Sequence, residues 1–168
     1  MQTNTPTIPY FAYKYGIIIS IITITFSLMI HFMDLTYSST KIPQIVNSLA
    51  STICIIIAIV SFRSTQGLLS IEEAVKIGSA TALISAIMIV AYLILYGNVI
   101  EPDFFERLGN EVFSKQIAED NPDFSSEEVQ NSVSVRLKFF YPAILIIACL
   151  HGLFVGFLTG LFAKRNKA

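Results

Sequence analysis

The chain has 168 residues, of which 54% are hydrophobic and only 14% charged, and a mean hydropathy of +0.66, whereas a water-soluble domain carries roughly a quarter charged residues. Lipid around most of the chain accounts for the shortfall, because charge is costly there. The formal net charge of −1 argues against a nucleic-acid binder, and neither Cys54 nor Cys149 has CxxC or Cys/His ligand spacing, so no metal, redox centre or cofactor is indicated.

Residues 1–13 are polar, contain Pro6 and Pro9, and read as a mobile tail or surface segment. The apolar run at 15–33 is too long for a secretory signal and lacks a small-x-small cleavage site, so it is the first predicted span. Gly16, Ser20, Thr23, Ser27 and His31 fall on one stripe of that helix, suited to packing rather than to lipid. Residues 34–42 form a polar turn, and Pro43 suits the first turn of the next helix. The second span, 43–62, carries a seam of Asn47, Ser51, Cys54, Ala58 and Ser61, and Arg63 marks its end.

A tight linker at 64–67 leads to Ser70 and, three residues on, Glu73: a capping box that starts a helix near Ile71. The third span, 74–96, spaces Gly78, Ala82 and Ala86 for close packing. Residues 97–138 are the only substantial water-facing part. Pro102 and Asp103 open a helix with Phe104, Phe105, Leu108, Val112 and Ile117 on one face, and Asn121-Pro122-Asp123 breaks it. Ser125 and Glu128 form a second capping box, from which Val129, Val133 and Leu137 carry an apolar edge to the last span. These two amphipathic helices either cap the bundle or lie along the headgroups.

The fourth span, 139–163, is free of charge and long enough, at ~1.5 Å per residue, to cross the ~30 Å apolar core of a bilayer. Gly152, Gly156 and Gly160 stack on one face, where a neighbouring backbone can approach closely. The predicted fold is therefore all-α: one polytopic membrane domain over 1–168, with four transmembrane helices in a bundle and a short helical insertion between the third and fourth. Four spans put both termini on one side, with Lys14, Arg63, Lys76, Lys164, Arg165 and Lys167, while Lys41, Arg107, Lys115, Arg136 and Lys138 fall on the other. The basic tail beside the last span outweighs charges in a long loop, which predicts cytoplasmic termini and a periplasmic insertion.

The whole pattern resembles a known family. Four spans, the Leu69-Ser-Ile-Glu-Glu-Ala-Val-Lys-Ile-Gly78 opening of span three, the Ile100-Glu-Pro-Asp-Phe104 exit from it, and a glycine-rich last span with a basic end are similar to small bacterial inner-membrane proteins classed only as a domain of unknown function. The likeness runs from about Lys14 to Lys167; where members carry Asn-Gly-Gly-like turns, this chain has Ser64-Thr-Gln-Gly67. The resemblance implies topology and a multi-pass bacterial inner-membrane location. It implies no activity.

His151 is the sharpest candidate site, because an ionisable side chain at mid-bilayer is a functional hypothesis by default. Against a proton relay stands the simpler account, a neutral imidazole bonded to a hydroxyl or carbonyl of a neighbouring helix. His31 lies about two turns away in depth and makes an intramolecular metal pair improbable. Glu72, Glu73 and Lys76 cluster at the cytoplasmic entry to span three, where they read as a binding point for a cation or a partner's basic segment or, more simply, as capping by Glu73 and a Glu72–Lys76 pair at i, i+4. The insertion's carboxylates, Glu101 among them, have neither EF-hand nor glycosidase spacing and read as solvated helix faces. No nucleotide loop, HExxH or paired nucleophile and base is present, so no enzyme is predicted.

The sequence thus points to a non-enzymatic binding or accessory subunit of a membrane assembly, docking through the Gly152–Gly160 face, the periplasmic helices or both, unless that face is spent inside the monomer by packing span four on span one or three. Its partners are the bilayer, a membrane protein or a second copy, and no nucleic acid. The alternative is a small oligomeric transporter or channel with a polar path near His151. A polar cavity around His151 would favour transport; an exposed glycine ridge on a closed bundle would favour the subunit.

Overall fold

The computed structural model describes residues 7–37 and 42–163, and among them it is helical without a strand. Four long helices are apolar enough to cross a membrane: α1 (Ile8–Phe32), α2 (Ile42–Gln66), α3 (Ile71–Leu95) and, after the insertion, α7 (Phe140–Ala163). The insertion holds α4 (Phe104–Arg107), α5 (Ser114–Asp120) and α6 (Ser126–Lys138). A π-helical turn at Tyr96–Ile100 extends α3, and a second at Leu108–Phe113 joins α4 to α5.

The distribution of side chains is what a bilayer selects. Ser20 and Thr81 are 0% exposed and Ala58 and Ala74 fully covered, whereas Phe162 is 90% exposed and Ile21, Ile87 and Phe154 also point outward. A water-soluble protein would not present such an apolar surface around all four of its long helices. Small residues inside instead allow the close helix contacts on which membrane bundles depend. Packing is tightest between α3 and α7, next between α3 and α1, while α2 touches all three more lightly.

Both capping boxes form. Ser70 Oγ accepts from the Glu73 backbone N–H at 3.1 Å while Glu73 accepts from the Ser70 N–H, and Ser125 and Glu128 repeat the pattern. Ser70→Ala removes the hydroxyl that accepts from the Glu73 N–H, so it is expected to cost about 1 kcal/mol in a reversible unfolding titration.

Three boundaries differ from expectation. α1 begins at Ile8, with Thr7 at its N-cap and Pro9 in its first turn, so residues 8–13 of the predicted tail are helical, while residues 1–6 lie outside the described residues. Phe11 and Ala12 explain this: both are buried, and Phe11 packs edge-on against Phe62 of α2 at 5.6 Å. α2 continues to Gln66 through residues read as a linker, and the turn follows only at Gly67, whose φ of +75° suits glycine. The α4–α5 stretch departs from a simple α-helix at its π turn, where Gly109 lies against Val133 and Leu137 of α6. Lys41 and the basic tail with Lys164, Arg165 and Lys167 lie outside the described residues.

Candidate functional site

The predicted small-residue faces meet within this one chain. A Cβ placed on Gly78 would lie 2.5 Å from the Gly152 carbonyl oxygen and 3.0 Å from Gly156 Cα. One on Gly156 would meet the Ala74 carbonyl at 2.8 Å, and one on Gly160 the Ala74 Cβ at 3.0 Å. The α7 glycine face is thus occupied by α3 and is not an outward ridge. Ala82 lies against Gly152, and Ala86, 2% exposed, continues the α3 face into the cavity described next.

Above this contact the four long helices leave between them a cleft of about 710 Å³. Ile19 and Thr23 of α1, Asn47 and Ser51 of α2, Ser85 and Ile89 of α3, and Ile144, Ile147 and His151 of α7 are among its lining residues. A second hollow of about 340 Å³ shares Thr23, Gln44 and Asn47 with it and runs up to Tyr96, Phe104 and Leu108 beneath the insertion. Toward the termini the bundle is packed by Ile55, Ala58, Ile59, Phe62, Ala74 and Ile77. The cleft therefore reaches inward from the insertion side and stops near mid-membrane.

His151 sits at its floor, about 16 Å along α7 from Phe140. Its Nε2 is 2.9 Å from Thr52 Oγ1, and that hydroxyl donates its proton to the Ser48 carbonyl at 2.8 Å. The Thr52 oxygen must then accept from Nε2–H, which leaves Nδ1 of a neutral imidazole as an acceptor. Nearer the mouth, Thr23 Oγ1 donates to Asn47 Oδ1 at 2.9 Å, so the Asn47 amide keeps its N–H donors. Ser85 is 3% exposed, and its hydroxyl has no partner among the described residues.

At the insertion end stands a cluster that sequence reasoning missed. The Glu101 side chain is only 13% exposed, not solvated. Its Oε1 accepts from Tyr37 at 2.6 Å and from Arg107 at 2.8 Å; its Oε2 accepts from Tyr96 at 2.7 Å. Having spent its proton on Glu101, the Tyr96 oxygen accepts from His31 Nδ1 at 2.7 Å, and His31 lies 3.6 Å from the carboxylate. Arg107 also covers the Tyr37 ring at 4.1 Å and bonds Glu111 at 2.9 Å. The π turn builds this cluster: the Glu101 N–H closes onto the Tyr96 carbonyl five residues back, placing both side chains together.

Burial pushes the Glu101 carboxyl up, but hydrogen bonds from Tyr37 and Tyr96 and the charge of Arg107 outweigh it and hold the group below the usual carboxylate range. Burial, then the bond to Glu101, pushes the Tyr37 phenol up, so it remains a donor at neutral pH. Glu101 thus ties together the ends of α1 and α3, the turn after α1, and α4. The usable signal was its position, five residues past the predicted end of span three and near the depth of His31.

The remaining candidate cluster is local. Glu73 serves the capping box, and Glu72 pairs with Lys76 at 2.6 Å with both side chains more than half exposed. Phe104, by contrast, is buried between Tyr37 and Tyr96, and Phe105 meets Phe140 and Tyr141, which fixes the insertion to the bundle.

No curated protein and no solved structure matches this chain. A family described as "Protein of unknown function (DUF4199)" matches residues 14–165. With nearly its whole length matched and four apolar helices packed together, the chain belongs to this family of helical, membrane-spanning proteins of unknown function.

Proposed function

We propose that this protein is a non-enzymatic membrane protein that holds a small molecule inside its bundle, as a binding or accessory subunit of a membrane assembly. The cleft carries the reading. Asn47 N–H donors and His151 Nδ1 line it without partners among the described residues, and Ser85, a residue of its α3 wall, has a buried hydroxyl that is also unpartnered among them. Unpaired polar groups at this depth cost several kcal/mol each in hydrocarbon, and an occupant with complementary groups removes that cost. Because α3 covers the α7 glycines, a protein partner or second copy docks through the insertion or another helix face. The basic residues of the sequence support a bacterial inner membrane with both termini in the cytoplasm, and nothing in the charge pattern suits nucleic acid.

A second reading, transport, is supported by one observation: the cleft is open toward the insertion and packed shut toward the termini. That is the shape of one state of an alternating-access cycle. Thiol labelling separates the two. In a Cys54→Ala/Cys149→Ala background, Ser51→Cys is expected to react with a small maleimide, and Ala58→Cys, 0% exposed in the parent, is not. An unreactive Ser51→Cys removes the binding reading. Reaction of Ala58→Cys with an impermeant reagent from the terminal side makes transport the better account.

A further inference from the structure

We infer that the cleft takes an uncharged amphiphile of the bilayer, an acylglycerol-like molecule whose head both donates and accepts hydrogen bonds, rather than an ion, an acid or an amine. This rests on the cleft reading above and adds the ligand's chemistry. Among the described residues lining the two hollows there is no Asp, Glu, Lys or Arg. A charged head would therefore lose its hydration with no counter-charge to replace it.

The free hydrogen-bonding positions are of both kinds. Thr23 occupies the Asn47 oxygen, so Asn47 offers N–H groups to an acceptor; Thr52 occupies His151 Nε2, so Nδ1 offers a lone pair to a donor. Asn47 and Thr52 are about 7–8 Å apart along α2, a span that a head with neighbouring hydroxyl and ester groups covers. Ser85, whose hydroxyl is buried and unpartnered among the described residues, belongs to the α3 wall of the same cleft. A sugar or other fully polar solute would leave Ile89, Ile144 and Ile147 facing polar atoms. An acyl chain pairs with them, and Ile147, 65% exposed at the lip, marks where the chain leaves toward lipid. The volume of about 710 Å³ lies within the roughly 300–1,000 Å³ of small-molecule sites.

The test uses the full chain in phosphatidylcholine nanodiscs and probes sharing one oleyl chain: monooleoylglycerol, oleyl sulfate and oleyltrimethylammonium. Monooleoylglycerol is expected to bind saturably, one per chain, at least tenfold tighter than either charged probe. Its O-methylated derivative, which has no donor, should bind about tenfold more weakly to the unmodified protein, so this arm depends on no variant folding. Asn47→Leu should weaken the parent probe by a similar factor, and Val46→Ala, on the exposed side of α2, should leave it unchanged. Equal or tighter binding of a charged probe overturns the ligand class and leaves the cleft reading standing. Absence of saturable binding by all three overturns the inference, and reactivity of the Ser51→Cys variant then tells whether the cleft reading falls with it.

Discussion

Glu101→Gln is expected to destabilise the folded protein by about 2–3 kcal/mol at neutral pH. The carboxylate accepts bonds from Tyr37, Tyr96 and Arg107 at once and stands 3.6 Å from His31. An amide keeps the shape, loses the charge, and presents an N–H to one of the tyrosine donors. The effect has a direction in pH. The folded carboxyl lies below its ordinary 4.5, so its stabilisation is complete above that value and is lost as acidification passes through the lower, folded value. The gap between the parent and Glu101→Gln should therefore be constant from neutral pH down to about pH 5 and close below it. Reversible unfolding in mixed micelles measures both. A gap that persists unchanged well into the acid range would show that Glu101 acts by shape alone. Tyr37→Phe in a double-mutant cycle should show coupling with Glu101, since one hydrogen bond joins them.

Gly152→Ala is expected to cost about 3 kcal/mol, although alanine is the better helix former by roughly 1 kcal/mol. The added methyl would stand 2.5 Å from the Gly78 carbonyl oxygen and 2.7 Å from the Ala82 Cβ, and a backbone atom cannot turn aside as a side chain does. α3 and α7 must separate, which also loosens the floor of the cleft at His151. Gly160→Ala should cost less, because its methyl meets the Ala74 Cβ at 3.0 Å and the Ile71 Cα at 3.2 Å. Unfolding of the monomer at high detergent dilution checks the ordering. If both variants unfold like the parent and only self-association changes, the glycine face belongs to an intermolecular contact and the packing described above is wrong.

The four spans were legible because each is a long apolar run, and a backbone in hydrocarbon has to satisfy its own hydrogen bonds as a helix. The two capping boxes were legible for a similarly local reason, since Ser70 with Glu73 and Ser125 with Glu128 lie within one turn. The start of α1 was not, because residues 8–14 are held by burial of Phe11 and Ala12, with Phe11 against Phe62 of α2, rather than by hydropathy. His151 could be singled out by type and depth, but its bond to Thr52 joins positions 99 apart in the chain. Glu101 was misjudged as solvated for the same reason: Tyr37 is 64 residues away.

By itself the sequence determined which segments enter the membrane, where two of the helices begin, and that the chain is a member of a helical membrane family. Solvent preference and nearest-neighbour bonding decide those matters residue by residue. Only the tertiary structure decided that α3 covers the α7 glycines, that the four long helices leave a mostly apolar cleft with a few polar groups between them, and that a π turn folds Glu101 inward onto tyrosines and a histidine. Each of these depends on which distant side chains fill a given space, and hydropathy, an average over one residue's own preference, carries no information about its partner.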